Sequence, residues 1–135
     1  MIRTYSEAIK LKTFDERFDY LKIGSKVGIE TFGSGRYLNQ RFYQSPEWRH
    51  FRQKIILRDK ACDLAVDGYD IVDHIYIHHL NPITMDDLVK HSDWIMDPEF
   101  VICCSYNTHE AIHFGNSDML PKVTLERKPG DTKLW

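Results

Sequence analysis

Two histidine clusters constrain this chain more than any other feature. His78 and His79 close the apolar run Ile75-Tyr76-Ile77, which ends at Asn81-Pro82. About thirty residues later, His109 and His113 stand four apart within Asn107–Gly115. On a helix, positions i and i+4 share one face, so these two imidazoles can bind one metal ion. The doublet can supply a third ligand and a base, the ingredients of metal-assisted hydrolysis. To use both clusters together, the chain has to bring a strand end against a helix. A lone histidine pair is more often a solvated face or a satisfied piece of core. Four of the seven histidines in two tight groups at element ends weakens that explanation. His50, His74 and His91 are isolated and read as structural or surface residues.

The flanking signals sort the rest of the chain into helices and short strands. Thr4-Tyr5-Ser6-Glu7 and Thr13-Phe14-Asp15-Glu16 both match the capping box. The second leads into Phe14, Phe18 and Leu21, spaced for one apolar face, with a stop near Gly24. Gly24 to Gly35 is rich in glycine and serine and reads as loop or short hairpin. Ser45-Pro46-Glu47 starts a helix with Trp48, Phe51, Ile55 and Ile56 at helical spacing, running to about Asp59. Leu64-Ala65-Val66, Asp67-Gly68 and Tyr69-Asp70-Ile71 read as a hairpin. Ile75 to His78 alternates as a strand, and Thr84-Met85-Asp86-Asp87 caps a short helix to about His91. Phe100-Val101-Ile102-Cys103 is a β-prone run. Ser105 then caps the helix bearing His109 and His113, and Gly115 is its stop. The expected fold class is α+β.

Length and composition bound the function. A chain of 135 residues with 42% apolar and 28% charged residues fits one domain with its own core. No apolar run is long enough for a membrane span, and Met1 to Glu7 lacks an export-signal pattern. Cys62, Cys103 and Cys104 form an odd set without a disulfide framework, which points to a reducing, cytoplasmic setting. Cys103-Cys104 reads as a buried apolar pair rather than a redox site. A net charge of −2 with neutral histidines argues mildly against tight non-specific DNA binding. Arg36, Arg41, Arg49, Arg52, Lys54, Arg58 and Lys60 nevertheless fall in one stretch, which either tracks phosphates or forms a solvated helix side. Arg49 and Arg52 are the better nucleic-acid contacts.

From Asp59 to Gly115 the chain resembles the HNH endonuclease family, most closely phage HNH proteins. The likeness rests on Trp48-Arg49 through Arg58-Asp59, Cys62-Asp63-Leu64, Ile77-His78-His79-Leu80-Asn81-Pro82-Ile83-Thr84, Asp97-Pro98-Glu99 and Thr108-His109-Glu110-Ala111-Ile112-His113-Phe114-Gly115. It extends upstream to Thr31-Phe32 and Arg36-Tyr37-Leu38-Asn39-Gln40, and downstream to Pro129-Gly130-Asp131-Thr132. The resemblance implies a ββα-metal core over 45–115, N-terminal helical and loop additions over 1–44, and a tail over 116–135, all in one domain spanning 1–135. It implies His79 as general base, with His78, His109 and His113 as metal ligands. The activity implied is metal-dependent cleavage or nicking of double-stranded DNA. Three neutral imidazoles favour zinc, nickel or manganese over magnesium, which prefers carboxylates.

Two departures from the family stand out. Many HNH proteins hold a structural zinc between two Cys-x-x-Cys pairs. Here those positions read Cys62 with Ala65 and Ser105 with Thr108, so no structural zinc is expected. The family's middle asparagine, which pins the loop carrying the base, aligns with Phe100. If the base is held, another group has to take over, with Asn81, Asn107 or backbone near Ile102 as candidates and Phe100 packing inward.

Two other functions compete. His109-Glu110-Ala111-Ile112-His113 spells the His-Glu-x-x-His signature of zinc proteases, with Glu110 activating water. The third ligand of the extended protease motif falls on Met119, a downstream acid would have to be Glu126, and His78-His79 is left without a task. The other competitor is an HNH fold without activity, retained for binding nucleic acid or protein.

Overall fold

A computed structural model describes residues 2–23, 41–90 and 92–121, with the side chain of Met85 excepted. The expected Gly24–Gly35 loop, the family-like positions 31–40, His91 and the 122–135 tail lie outside the described residues. Helices α1 (Tyr5–Ala8) and α2 (Phe14–Leu21) are followed by the long α3 (Pro46–Asp59). Strand β1 (Tyr76–His79), α4 (Met85–Lys90), β2 (Val101–Cys104) and α5 (Tyr106–Phe114) follow, with short 3-10 turns between them. The chain is α+β, and among the described residues the sheet is one antiparallel pair.

The helix ends follow from local chemistry. The Thr13 hydroxyl accepts from the Glu16 amide while Glu16 reaches back to the Thr13 amide, so both orphan donors are satisfied. Ser45 accepts from the Trp48 amide, with Pro46 opening α3. Ser105 caps α5, and Gly115 ends it at φ 64°, a left-handed conformation open to glycine without strain.

The two strands pair with Tyr76 opposite Cys104, Ile77 opposite Cys103, His78 opposite Ile102 and His79 opposite Val101. Leu80 extends the ladder by donating its amide to the Phe100 carbonyl at 2.9 Å. Side chains alternate across a strand, so the pair has two faces. Val101, Cys103 and Ile77 pack with Trp48, Phe51 and Ile55 of α3. Ile102 and Cys104 pack with Phe14, Phe18 and Leu21 of α2, Leu64, Leu80, and Ala111 and Ile112 of α5. Every residue of β2 is buried, so this short strand is the spine between two small cores. Each fully buried Ile or Leu here contributes about 1.5–3 kcal/mol relative to exposure. The three cysteines are free and buried, as the reading of Cys103-Cys104 as apolar filling anticipated, and burial pushes their thiols above the ordinary range.

The segment expected as a hairpin over 64–71 is instead a compact knuckle. Asp63–Ala65 forms a 3-10 turn, and pairing is limited to a single bridge between Cys62 and Asp70. Lys60, Ala61, Leu64 and Ala65 all have φ between 51° and 59°, unfavourable for residues with a Cβ. Such backbone persists only where its surroundings fix it, and Asp63 does so. Its buried carboxylate accepts from the Ser105 amide (3.1 Å), the Ser105 hydroxyl (3.0 Å) and the Thr108 hydroxyl (2.6 Å). Ser105 and Thr108, at positions where the resembled family keeps cysteines, are thus tied to the knuckle by hydrogen bonds. Sequence alternation misleads here because the contacts that shape the knuckle lie more than forty residues away.

The N-terminal segment is stitched to the end of β1. The Arg3 amide donates to Asn81 Oδ1 (2.8 Å), and Asn81 Nδ2 donates to the Arg3 carbonyl (2.9 Å). The Arg3 guanidinium binds the Tyr20 and Lys22 carbonyls. Arg58, within the basic stretch, is turned inward, with its guanidinium 3.6 Å from the Tyr5 ring centre and bonded to Asp59 and the Val101 carbonyl.

Candidate metal centre

Strand parity splits the histidine doublet. His78 faces α5, where its ring meets His109 edge-on at 5.5 Å and His113 at 5.2 Å. His79 faces α3, with its ring stacked on Trp48 at 5.5 Å. The helical pair behaves as its spacing requires: His109 and His113 have Nε2 atoms 3.1 Å apart. Donor nitrogens of His78, His109 and His113 all lie within 4.8 Å of one another, a group that can hold a metal ion. Nitrogens on a tetrahedral ion with bonds of about 2.0–2.1 Å stand roughly 3.3 Å apart, and the His109–His113 pair is near that spacing.

The electrostatics fit a cation-binding role. Burial, then the neighbouring imidazoles, holds His78 well below the ordinary histidine range. Burial and the His113 and His79 rings push His109 down to about 3, and burial lowers His113. All three are therefore neutral near pH 7, the form that donates to a metal. His78 is 1% exposed, and neither of its ring nitrogens has a hydrogen-bond partner among the described residues. Leaving such a group unpaired costs about 1–3 kcal/mol, an expense that a bound ion would remove. A satisfied core histidine does not look like this.

His79 is held differently. Its Nε2 lies 2.8 Å from the Ile95 carbonyl. A carbonyl only accepts, so the neutral ring carries its proton on Nε2 and its lone pair on Nδ1. Burial pushes its pKa down to about 4, against the opposing effect of the carbonyl. Asn81 and Asn107, expected as stand-ins for the family asparagine, do not hold the ring. Asn81 is engaged with Arg3, and Asn107 is exposed at the start of α5. The backbone group is that of Ile95, not one near Ile102. Phe100 is not a strand residue; it ends the 3-10 turn before β2 and packs edge-on against Trp94 at 6.2 Å.

All four histidines line one cavity of about 430 Å³, with Trp48, Tyr43 and Arg52 among its walls. Arg52 reaches it with its guanidinium bonded to the Ile75 carbonyl at 2.7 Å, whereas Arg49 is exposed outside the lining. His74, read from sequence as structural or surface, also lines the cavity and meets Tyr76 edge-on. Sequence reasoning did not find Ile95, because it contributes only a backbone atom. Nor did it find Trp94, which gives no signal apart from being a large aromatic among acids. No helix among the described residues is long and apolar enough to cross a membrane.

One consequence concerns acid stability. Unfolded histidines titrate near 6.5, whereas His79 and His109 do so near 4 and 3 when folded. Below pH 6.5 the unfolded chain binds more protons, so stability is present above that pH and is lost as pH falls. For His79 alone the loss is about 2 kcal/mol between pH 6.5 and 5. Melting of metal-free protein should drop steeply over this interval, and a flat profile from pH 7.5 to 5 would contradict the burial of neutral rings.

Compared with known proteins, the chain matches no family model, no curated protein and no solved structure.

Proposed function

We propose that this protein is a metal-dependent endonuclease with an HNH-type ββα-metal site, acting on DNA phosphodiester bonds. The observation that carries the reading is His78, buried with two unpartnered nitrogens and facing the His109–His113 pair. Two antiparallel strands followed by a helix bring these residues together, which supports the reading. His78, His109 and His113 would hold the ion, and their all-nitrogen character favours zinc, nickel or manganese over magnesium. When bound, such an ion supplies Lewis-acid stabilisation of the charge that develops on the phosphate and the leaving 3′-oxygen. His79, beside the cluster but outside it, removes a proton from the attacking water through the lone pair on Nδ1. A base depressed to about 4 is fully deprotonated at neutral pH, although weaker than an ordinary histidine. Arg52 at the cavity wall and Arg49 on the outer side of α3 are the proposed phosphate contacts, with double-stranded DNA as partner.

A second reading has one observation in its favour. His79 is 8% exposed, and a base has to reach its water. A metal-loaded protein retained for binding nucleic acid fits that burial. The protease reading gains nothing, because the cluster takes its third imidazole from the doublet. Supercoiled plasmid incubated with protein and magnesium, manganese, zinc or nickel separates the readings. Conversion to nicked or linear plasmid with a transition ion is expected. Retarded but uncut plasmid with every ion would favour the binding module.

A further inference from the structure

The turn that offers the Ile95 carbonyl is not held by its own backbone alone. Asp87, in α4, stands at the centre of its support. Asp87 Oδ2 accepts from the Thr84 amide (3.0 Å) and hydroxyl (2.8 Å), capping the helix. Asp87 Oδ1 accepts from the Ser92 hydroxyl (3.0 Å) and from Trp94 Nε1 (3.2 Å). The Ser92 amide donates to the Asp87 carbonyl, and the Ile95 amide to the Ser92 carbonyl. One carboxylate therefore fixes the helix start, the following connection and the indole two residues later. Burial opposes its ionisation, but the Thr84, Ser92 and Trp94 hydrogen bonds outweigh this and hold the carboxyl below its ordinary range.

The indole in turn touches the histidine. Trp94 meets the His79 ring edge-on at 6.3 Å, while Trp48 stacks on that ring. Phe100 meets Trp94 edge-on from another side. The adjacent Ile95 side chain is 2% exposed, which anchors the turn in the core. His79 is thereby bounded by the Trp94, Trp48 and Tyr43 rings and one carbonyl.

We propose that Asp87 and Trp94 are positioning residues for His79: they hold the 93–96 turn so that the Ile95 carbonyl selects the Nε2–H tautomer. The catalytic consequence rests on the endonuclease reading, but the tautomer does not. Phe100 has a place in this arrangement, since it supports Trp94 by packing. The arrangement can do with an indole, a carboxylate and a carbonyl what the resembled family does with an amide.

The test combines long-range proton–nitrogen NMR of the His79 ring with zinc affinity and nicking kinetics. Wild-type protein should show a single Nε2–H tautomer for His79. Asp87→Ala should give mixed tautomers and lower kcat about tenfold or more, with KM and zinc affinity nearly unchanged. Asp87→Asn keeps an acceptor for Trp94 and Ser92 but turns a donor toward the Thr84 amide, so it should lose some stability while its His79 tautomer stays close to wild type. Trp94→Phe removes the Nε1 bond but keeps a ring, and should fall between. It also decides the matter if Asp87→Ala fails to fold. A pure Nε2–H signal that persists in both Asp87→Ala and Trp94→Phe overturns the proposal. If wild type cuts nothing, the tautomer measurements still decide this inference, and the endonuclease reading falls separately.

Discussion

Replacing His79 by alanine is expected to lower DNA cleavage by roughly two to four orders of magnitude, the usual worth of a general base. Metal affinity should hardly change, because His79 faces α3 while the three candidate ligands meet on the α5 side of the sheet. His109→Ala should behave differently and lose metal and cleavage together, since its Nε2 sits 3.1 Å from that of His113 at the heart of the cluster. Side-by-side nicking rates and metal contents check this. Should Glu110→Gln silence the protein while His79→Ala stays active, the base assignment is wrong and the protease-like alternative gains.

Asp63→Ala should be the most damaging polar substitution for stability. It strands the Ser105 amide and takes the shared carboxylate acceptor from the Ser105 and Thr108 hydroxyls, leaving them each other and the cap bond to the Thr108 amide. The left-handed backbone at Leu64 and Ala65 also loses its tie to α5. The expected loss is about 3 kcal/mol, on the order of 10 °C in melting temperature. Asp63→Asn keeps an acceptor and should lose half as much or less. Because Ser105 and Thr108 begin the helix that carries His109, metal affinity should fall along with stability in the alanine variant. Denaturant unfolding of the three proteins decides it, and a loss below about 1 kcal/mol for alanine would show that the knuckle is held by packing alone.

What could be read from sequence here follows the range of the interactions. The caps at Thr13, Ser45 and Ser105 and the stop at Gly115 were legible because a cap forms with residues two or three positions away. The His109–His113 pair was legible for the same reason, being set by helical geometry. The knuckle was not: Asp67-Gly68 between β-prone runs suggests a hairpin, while the determining contacts run from Asp63 to Ser105 and Thr108. The meeting of His78 with α5 was expected from the cluster pattern, but the opposite facing of His79 needed the strand's register. The candidates for the hold on His79 were Asn81, Asn107 or backbone near Ile102. The group is a backbone carbonyl, but that of Ile95, and no sequence signal marks which carbonyl a fold brings to a ring. Arg52 was read as a phosphate contact from charge alone, and its bond to the Ile75 carbonyl became visible only with the fold.

The central claim is that His78, His109 and His113 form one metal site with His79 outside it. Calorimetric titration of zinc and of nickel into metal-free protein at neutral pH tests this most directly. The account predicts one equivalent per chain. Supporting groups beyond the ligands usually change affinity about 10–100-fold, and a direct ligand should count for no less. His78→Ala, His109→Ala and His113→Ala should each weaken binding at least that much, with His79→Ala near wild type. Absence of binding by the folded wild-type protein, or affinity indifferent to His78, would contradict it.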